Sequence, residues 1–200
     1  MKKSIFMFTT AILSFIVPLP SRFAYTIIML FAVNFVMLTG TAVKMFISKL
    51  DLDNLENVLL LVFMLSMTIL YKQFVILYSP VIAFTIGFVI YLAPASSFLT
   101  GHVLEPKENY ASNLFAVNMR NSGILTGIAV IVSIIREFLA YGSFSLPFRD
   151  GIHIYKYPFV KTSTLSYFFS TISGAFVLTG LVVAMFVFIN KRIEIASRKD

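Results

Sequence analysis

The chain has 200 residues, of which 58% are apolar and only 12% are charged, with a mean hydropathy of +0.90 and a formal net charge of +7. Soluble domains usually carry roughly twice that charged fraction. The composition therefore excludes an ordinary soluble domain and predicts one integral membrane domain over residues 1–200.

The composition also excludes several kinds of site. The chain contains no cysteine, which rules out disulfides, thiolate metal sites and cysteine-ligated iron–sulfur clusters. Its two histidines, His102 and His153, are far apart in predicted loops, so we expect no metal site built on them. No basic run interleaved with aromatic residues suggests a nucleic-acid groove, and the positive charge fits loops that face an anionic membrane surface.

The first half of the chain carries three apolar segments, at residues 1–20, 22–47 and 57–76. The first segment ends at Pro18 and is too short to span a bilayer unaided, so we expect a half-helix. A secretory signal peptide would need a small-residue cleavage site where Arg22 stands. The second and third segments are long enough to cross the bilayer as helices.

The fourth segment, residues 78–101, is uncharged and long enough to span, yet it contains Gly87 and Pro94. Pro94 removes a backbone hydrogen bond well inside the segment, and Ser96 and Ser97 follow with hydroxyl groups. Breaks of this kind are tolerated where protein or a water-filled cavity satisfies the backbone, and they mark binding or conduction sites. The alternative is a proline-kinked packing helix.

The second half continues with a polar connection at residues 102–121, a fifth segment at 122–141, an aromatic-rich interfacial loop at 142–161 and a sixth segment at 162–189. Six segments place both termini on one side of the membrane. That side carries the larger share of the lysines and arginines, which predicts cytoplasmic termini.

Two short apolar strings that end in proline, at residues 15–18 and 91–94, suggest an internal repeat. Three helices per half would give the halves, about 1–76 and 77–200, opposite orientations, as in inverted repeats with interrupted helices. The predicted fold is an all-α polytopic membrane protein. Its six transmembrane segments form two inverted three-helix repeats, with the first and fourth segments interrupted or half-helices.

Arg136 and Glu137 are the one charged pair inside a predicted membrane helix. Ionisable groups there are costly unless they are paired or hydrated. Because neighbouring residues point about 100° apart on a helix, each needs its own partner. The pair belongs either to an ion path or to the structural end of the helix, and the same two interpretations apply to Pro94 and Ser96.

Three stretches resemble the RnfE/NqrD membrane subunits. Residues 123–146, GILTGIAVIVSIIREFLAYGSFSL, resemble that family's fifth helix, roughly GxGxT…(I/F)REFLGxGTL. Residues 78–101 resemble its YxP…G…C…G segment, and residues 173–181, SGAFVLTGL, resemble its PGAFILLGL. FIVPLP in the first segment stands where the family has LGLCP, so the similarity covers nearly the whole chain.

The resemblance implies a subunit of an Rnf- or Nqr-type complex in the bacterial cytoplasmic (inner) membrane. Such complexes pass electrons between ferredoxin or NADH and an acceptor, coupled to Na⁺ or H⁺ movement. The implied partners are an RnfA/NqrE-like sister subunit, which pairs as an inverted pseudo-symmetric mate, and other Rnf/Nqr-type subunits that carry flavins.

The family also implies an intramembrane [2Fe–2S] cluster held by one cysteine from each of two half-helices. Here those positions carry Val17 and Ser97. Valine has no donor atom, and a serine hydroxyl is a poor iron ligand. We therefore expect a cysteine-free, non-catalytic subunit that binds no cofactor and forms a scaffold with a possible ion path.

Two other functions compete with this prediction. The broken fourth segment and its hydroxyl groups would also suit a small-molecule or ion permease component that uses the inverted-repeat fold. A purely structural assembly subunit, with no path through it, is the third alternative.

Overall fold

The computed structural model describes residues 16–48, 55–94, 111–157 and 164–196, and this part of the chain is mostly helical. Its helices are α1 Phe23–Ser48, α2 Glu56–Tyr78, α3 Pro80–Ile86, α4 Ala111–Tyr141, α5 Thr164–Ser170 and α6 Ile172–Ala196. A 3₁₀ turn at Val89–Tyr91 follows α3, and strands β1 Ser143–Phe148 and β2 Gly151–Lys156 lie between α4 and α5.

Three helical stretches of the described residues are long and apolar enough to cross a membrane: Phe23–Ile47, Val58–Tyr78 and Asn118–Tyr141. They coincide with the predicted second, third and fifth segments, which are confirmed as long apolar helices. Ile172–Met185 is a shorter apolar stretch. The six transmembrane spans and the inverted repeat stay predictions. Most of the first segment lies outside the described residues.

α1 is the central helix because it packs against both α2 and α4. Its buried side chains include Met29, Ala32 and Val36, which recur at helical spacing along one face. Buried residues of α4, such as Ala129, belong to the same apolar core. α2 in contrast is largely exposed on its apolar surface, as expected of a helix that faces lipid or another membrane chain.

The fourth segment is interrupted, as predicted, and within its described part, residues 78–94, the break lies at Gly87. α3 begins with Pro80 at its first position and ends at Gly87, whose φ of 43° is in the region that favours glycine. The chain then makes the 3₁₀ turn Val89–Tyr91 and resumes α-helical geometry at 92–94. Pro94, the last described residue of this segment, has α-helical geometry and is buried.

The described residues are mostly helical, as predicted, but the expected loop at 142–161 contains a β-hairpin. β1 and β2 pair antiparallel with Ser143 opposite Lys156 and Phe148 opposite Gly151. Gly142 and Gly151, with φ of 56° and 125°, stand before β1 and at the start of β2. Arg149 and Asp150 form the two-residue turn, and the Asp150-Gly151 pair between apolar runs is a hairpin signal in the sequence.

Two other segment boundaries also differ from the prediction. Residues 111–121 were expected in a polar connection but form the first turns of α4. The sixth segment was expected to be continuous, yet it breaks between α5 and α6. Thr171 lies at the break, where its Oγ1 donates to the Phe168 carbonyl at 2.6 Å and accepts from the Gly174 N–H at 3.3 Å.

We expect Gly174→Ala to destabilise the protein, because a Cβ at this position would overlap the Phe168 carbonyl oxygen and lie 2.6 Å from the Phe169 Cα. Overpacking of this kind costs about 1–3 kcal/mol. Gly180→Ala is the matched control in the same helix, since a Cβ there meets nothing within 4 Å. Thermal unfolding in detergent should show a lower Tm for the first variant only; equal Tm values would contradict the close approach of α5 and α6.

Candidate functional site

Arg136 and Glu137 lie in the last turns of α4, immediately before the hairpin, and both are buried, with exposed fractions of 3% and 0%. As expected for neighbours on a helix, their side chains reach different parts of the molecule. Glu137 receives donors from the start of α1 and from β1, whereas Arg136 donates to backbone carbonyls. Together with Arg22, Ser143 and Ser145 they form what we call the Arg136–Glu137 cluster.

Both carboxylate oxygens of Glu137 are engaged. Oε2 accepts hydrogen bonds from the Phe23 N–H at 2.7 Å, the Ser145 N–H at 3.2 Å and the Ser145 hydroxyl at 2.8 Å. Oε1 accepts from the Ser143 hydroxyl at 3.1 Å and lies 3.6 Å from the Arg22 guanidinium. A carboxylate with this many donors can remain charged in a buried position.

Glu137 caps the amino end of α1 although it lies far away in sequence. The first N–H groups of a helix have no partner within the helix. Glu137 accepts from Phe23, the first residue of α1, and the Ser145 hydroxyl accepts from the Ala24 N–H at 3.2 Å. A negative charge here also interacts favourably with the helix dipole. Ser143 and Ser145 reach the same carboxylate because alternate residues of a strand point to one side.

Arg136 donates hydrogen bonds to backbone carbonyl groups at two interruptions of the helical structure. Its Nη1 donates to the carbonyls of Ile16 at 3.2 Å and Leu19 at 3.0 Å, where the first segment ends. Its Nη2 donates to the Thr171 carbonyl at 3.4 Å and its Nε to the Phe169 carbonyl at 3.5 Å, at the break between α5 and α6. A guanidinium can serve both places because it carries five donors in a planar fork.

The outer edge of the cluster is aromatic. The Arg22 guanidinium lies 4.1 Å from the centroid of the Tyr141 ring and donates to the Ser143 hydroxyl at 3.2 Å. The Ser21 hydroxyl donates to the Tyr141 hydroxyl at 3.0 Å. Arg22 is therefore held by a carboxylate, a hydroxyl and an aromatic face. It closes the cluster toward the end of the bundle.

A second polar group of residues joins α1 to α4 along the spans. The Asn34 amide donates to the Thr126 hydroxyl at 2.8 Å, and the Ser122 hydroxyl donates to Asn34 Oδ1 at 2.6 Å. Further along, the Asn118 amide donates to the Thr41 hydroxyl at 3.2 Å. Such bonds hold membrane helices together. The sequence signal, polar residues at 118, 122 and 126 on one helix face, was missed because 118 was assigned to a connection.

The structure describes two of the other four predicted site residues, Val17 and Pro94. Val17 is buried at 3% exposure beside the carbonyls that Arg136 binds, and Pro94 is buried in the fourth segment. Ser96 and Ser97 lie outside the described residues. Val17 offers no donor, and the described residues contain no group of three or more His, Cys, Asp or Glu side chains that could hold a metal ion. These residues do not fit a [2Fe–2S] cluster.

No protein-family model matches the chain, and no curated protein matches it. What the protein does has to be inferred from its own residues and from the contacts they make.

We expect Glu137→Gln to lower the stability of the protein. The amide presents an N–H₂ group toward donors and loses the charge that faces Arg22 and the α1 terminus. Leaving buried donors unpaired costs about 1–3 kcal/mol each. Glu56→Gln is the control, since the 3.5 Å pair that Glu56 forms with Lys44 is partly exposed and is expected to contribute less than about 1 kcal/mol. Tm in detergent should fall clearly for the first variant; similar Tm values would contradict the capping role.

We expect Arg136→Lys to make the chain more mobile at both interruptions, although the positive charge is kept. The donors of an ammonium group all lie on one nitrogen atom, so a lysine cannot bind the carbonyls of Leu19 and Thr171 at the same time. Limited proteolysis should then cut the variant faster near residues 16–22 and near residue 171. Lys191→Arg, an exposed position in α6, is the control. Unchanged cleavage at both places in the first variant would show that Arg136 does not hold these segments.

Proposed function

We propose that the chain is a non-catalytic integral membrane subunit of an Rnf- or Nqr-type ion-translocating electron-transport complex, in which it forms a scaffold. Electrons would pass through flavins on partner subunits, because this chain has no cysteine to bind an iron–sulfur cluster. The observation that supports the proposal is the Arg136–Glu137 cluster. Four of its five members, all except Arg22, belong to the REFLAYGSFS stretch that carries the resemblance to RnfE/NqrD.

The first step of the argument concerns the interrupted segments. A backbone carbonyl that loses its helical partner inside the membrane needs another donor. The resemblance predicts a half-helix at the start of the chain, and the carbonyls of Ile16 and Leu19 receive that donor from Arg136. A fold with half-helices needs such a group, and Arg136 stands in the stretch where the resemblance is densest.

The second step concerns the role of the charges. An ion path requires oxygen atoms that can exchange protein partners for an ion. Every oxygen of Glu137 already accepts from protein donors, and exchange would remove the cap of α1. Of the two roles considered for Arg136 and Glu137, the structural one is therefore the one that we propose.

The third step concerns partners. α2 exposes apolar side chains on most of its surface, including Val58, Val62 and Phe74. Such a surface suits lipid and neighbouring membrane subunits equally. The proposal assigns part of it to an RnfA/NqrE-like sister subunit in the bacterial cytoplasmic membrane, with both termini on the cytoplasmic side.

A permease component remains the second candidate, because the fourth segment is broken at Gly87 and not merely kinked. Broken segments form substrate sites in many transporters. Uptake of a solute by vesicles that contain this chain alone would favour the permease, and an ATPase as the co-purifying partner would point the same way.

The first experiment is purification of the tagged protein in a mild detergent from the native membrane. Mass spectrometry of the co-purifying proteins and analysis of iron and flavin would follow. We expect an RnfA/NqrE-like sister and flavin-bearing subunits, without iron liganded by this chain. A parallel purification of the Gly180→Ala variant shows how much the set of co-purifying proteins varies between preparations. Recovery of the chain alone, or two iron atoms per copy held by it, would contradict the proposal.

A further inference from the structure

We propose that the β-hairpin lies along the membrane–water interface and binds the headgroup region of the bilayer through its outer strand. The residues concerned, which we call the hairpin face, are exposed residues on both sides of the sheet edge and at its turn: Phe148, Arg149, Ile154, Tyr155, Lys156 and Tyr157. The inference rests on the position, burial and chemistry of these residues and does not depend on the proposed function.

The hairpin begins where a membrane-length helix ends. Asn118–Tyr141 is one of the apolar stretches, and Gly142 turns the chain directly from it into β1. The base of the hairpin is closed by a hydrogen bond from the Tyr157 N–H to the Gly142 carbonyl at 3.0 Å. The first and last residues of the hairpin are therefore fixed at the level of the membrane boundary.

The hairpin lies against the bundle and does not project away from it. Ser143 and Ser145 of β1 bind the buried Glu137, and Ile152 of β2 packs against the apolar core. β2 also contacts α3, which follows the end of α2. A strand anchored at both of these places must cross the end of the bundle, close to the membrane plane.

The composition of the hairpin face matches this location. Tyr155 and Tyr157 are about half exposed, at 54% and 55%, although both are large aromatic residues. Tyrosine is enriched at the headgroup level, where its ring is shielded and its hydroxyl is hydrated. Lys156 lies between these tyrosines in the chain, and Arg149 lies in the turn at the other end of the hairpin. The positive charge of both complements anionic headgroups.

The hairpin face is also continuous with the lipid-facing surface of α4. The Tyr157 ring contacts the Phe138 ring edge-on, with 6.4 Å between the centroids. Phe138 is itself 49% exposed, on the same side of α4 as Ile131. An aromatic surface that extends without interruption from a spanning helix favours lipid over a soluble partner protein.

Depth-dependent quenching of tryptophan fluorescence tests the proposal. The chain contains no tryptophan, so a single introduced tryptophan is the only source of indole fluorescence. The full chain carrying Tyr155→Trp is reconstituted in vesicles with phospholipids brominated either near the headgroup or near the chain end. Iodide reports access from water. Ile154→Trp is a second probe, in case the first replacement perturbs folding, and Phe31→Trp, at an exposed position inside α1, is the membrane-core control.

We expect both hairpin indoles to be quenched more by the shallow bromines than by the deep ones, and Phe31→Trp to show the opposite order. Adding Lys156→Gln should weaken shallow quenching in anionic vesicles and leave it unchanged in neutral ones. Strong iodide quenching without lipid quenching would overturn the proposal and leave the hairpin face to a soluble partner. Stronger quenching by the deep bromines would overturn it as well, and an unquenched Phe31→Trp would overturn the membrane position of the whole bundle.

Discussion

Interruptions of a helix inside an apolar environment expose backbone groups that water cannot reach, and the way this protein satisfies them determines much of its architecture. Glu137 accepts from the N–H group that begins α1, and Arg136 donates to carbonyls at two breaks. One helical turn of α4 thus supplies a hydrogen-bond acceptor and a hydrogen-bond donor to helix ends that are far apart in the sequence. The hairpin, the start of the central helix and the α5–α6 break all depend on it.

The two charges stabilise the fold because each has several partners. Burying an isolated ion costs several kcal/mol, and a buried charge is tolerated only when hydrogen bonds replace its hydration. Glu137 and Arg136 have opposite sign and lie next to each other, so the cluster also avoids a large net charge. Arg22, stacked on Tyr141, adds a second cation on the more exposed side. The amide and hydroxyl bonds around Asn34 then join α1 to α4 by weaker interactions along the spans.

For function, this arrangement favours a rigid framework over a reactive centre. The oxygen atoms of Glu137 and the nitrogen atoms of Arg136 all point at protein groups, and Val17 is enclosed in the core near them. The buried polar groups satisfy backbone groups where the described chain is interrupted, so what they do in this structure is hold the fold together. Under the function proposed above, such a framework would support neighbouring subunits, and the aromatic hairpin would fix it at one membrane surface.

The sequence by itself determined the long apolar helices, the interruption of the fourth segment and the need of Arg136 and Glu137 for separate partners. These features follow from composition, from proline and glycine, and from the helical period, all of which act locally. Only the tertiary structure decided which partners they have, since Phe23 and Glu137 are 114 positions apart. It also placed the fourth-segment break at Gly87 and formed the hairpin. Those outcomes depend on whether distant segments can satisfy the same backbone groups, and a local pattern carries no information about that.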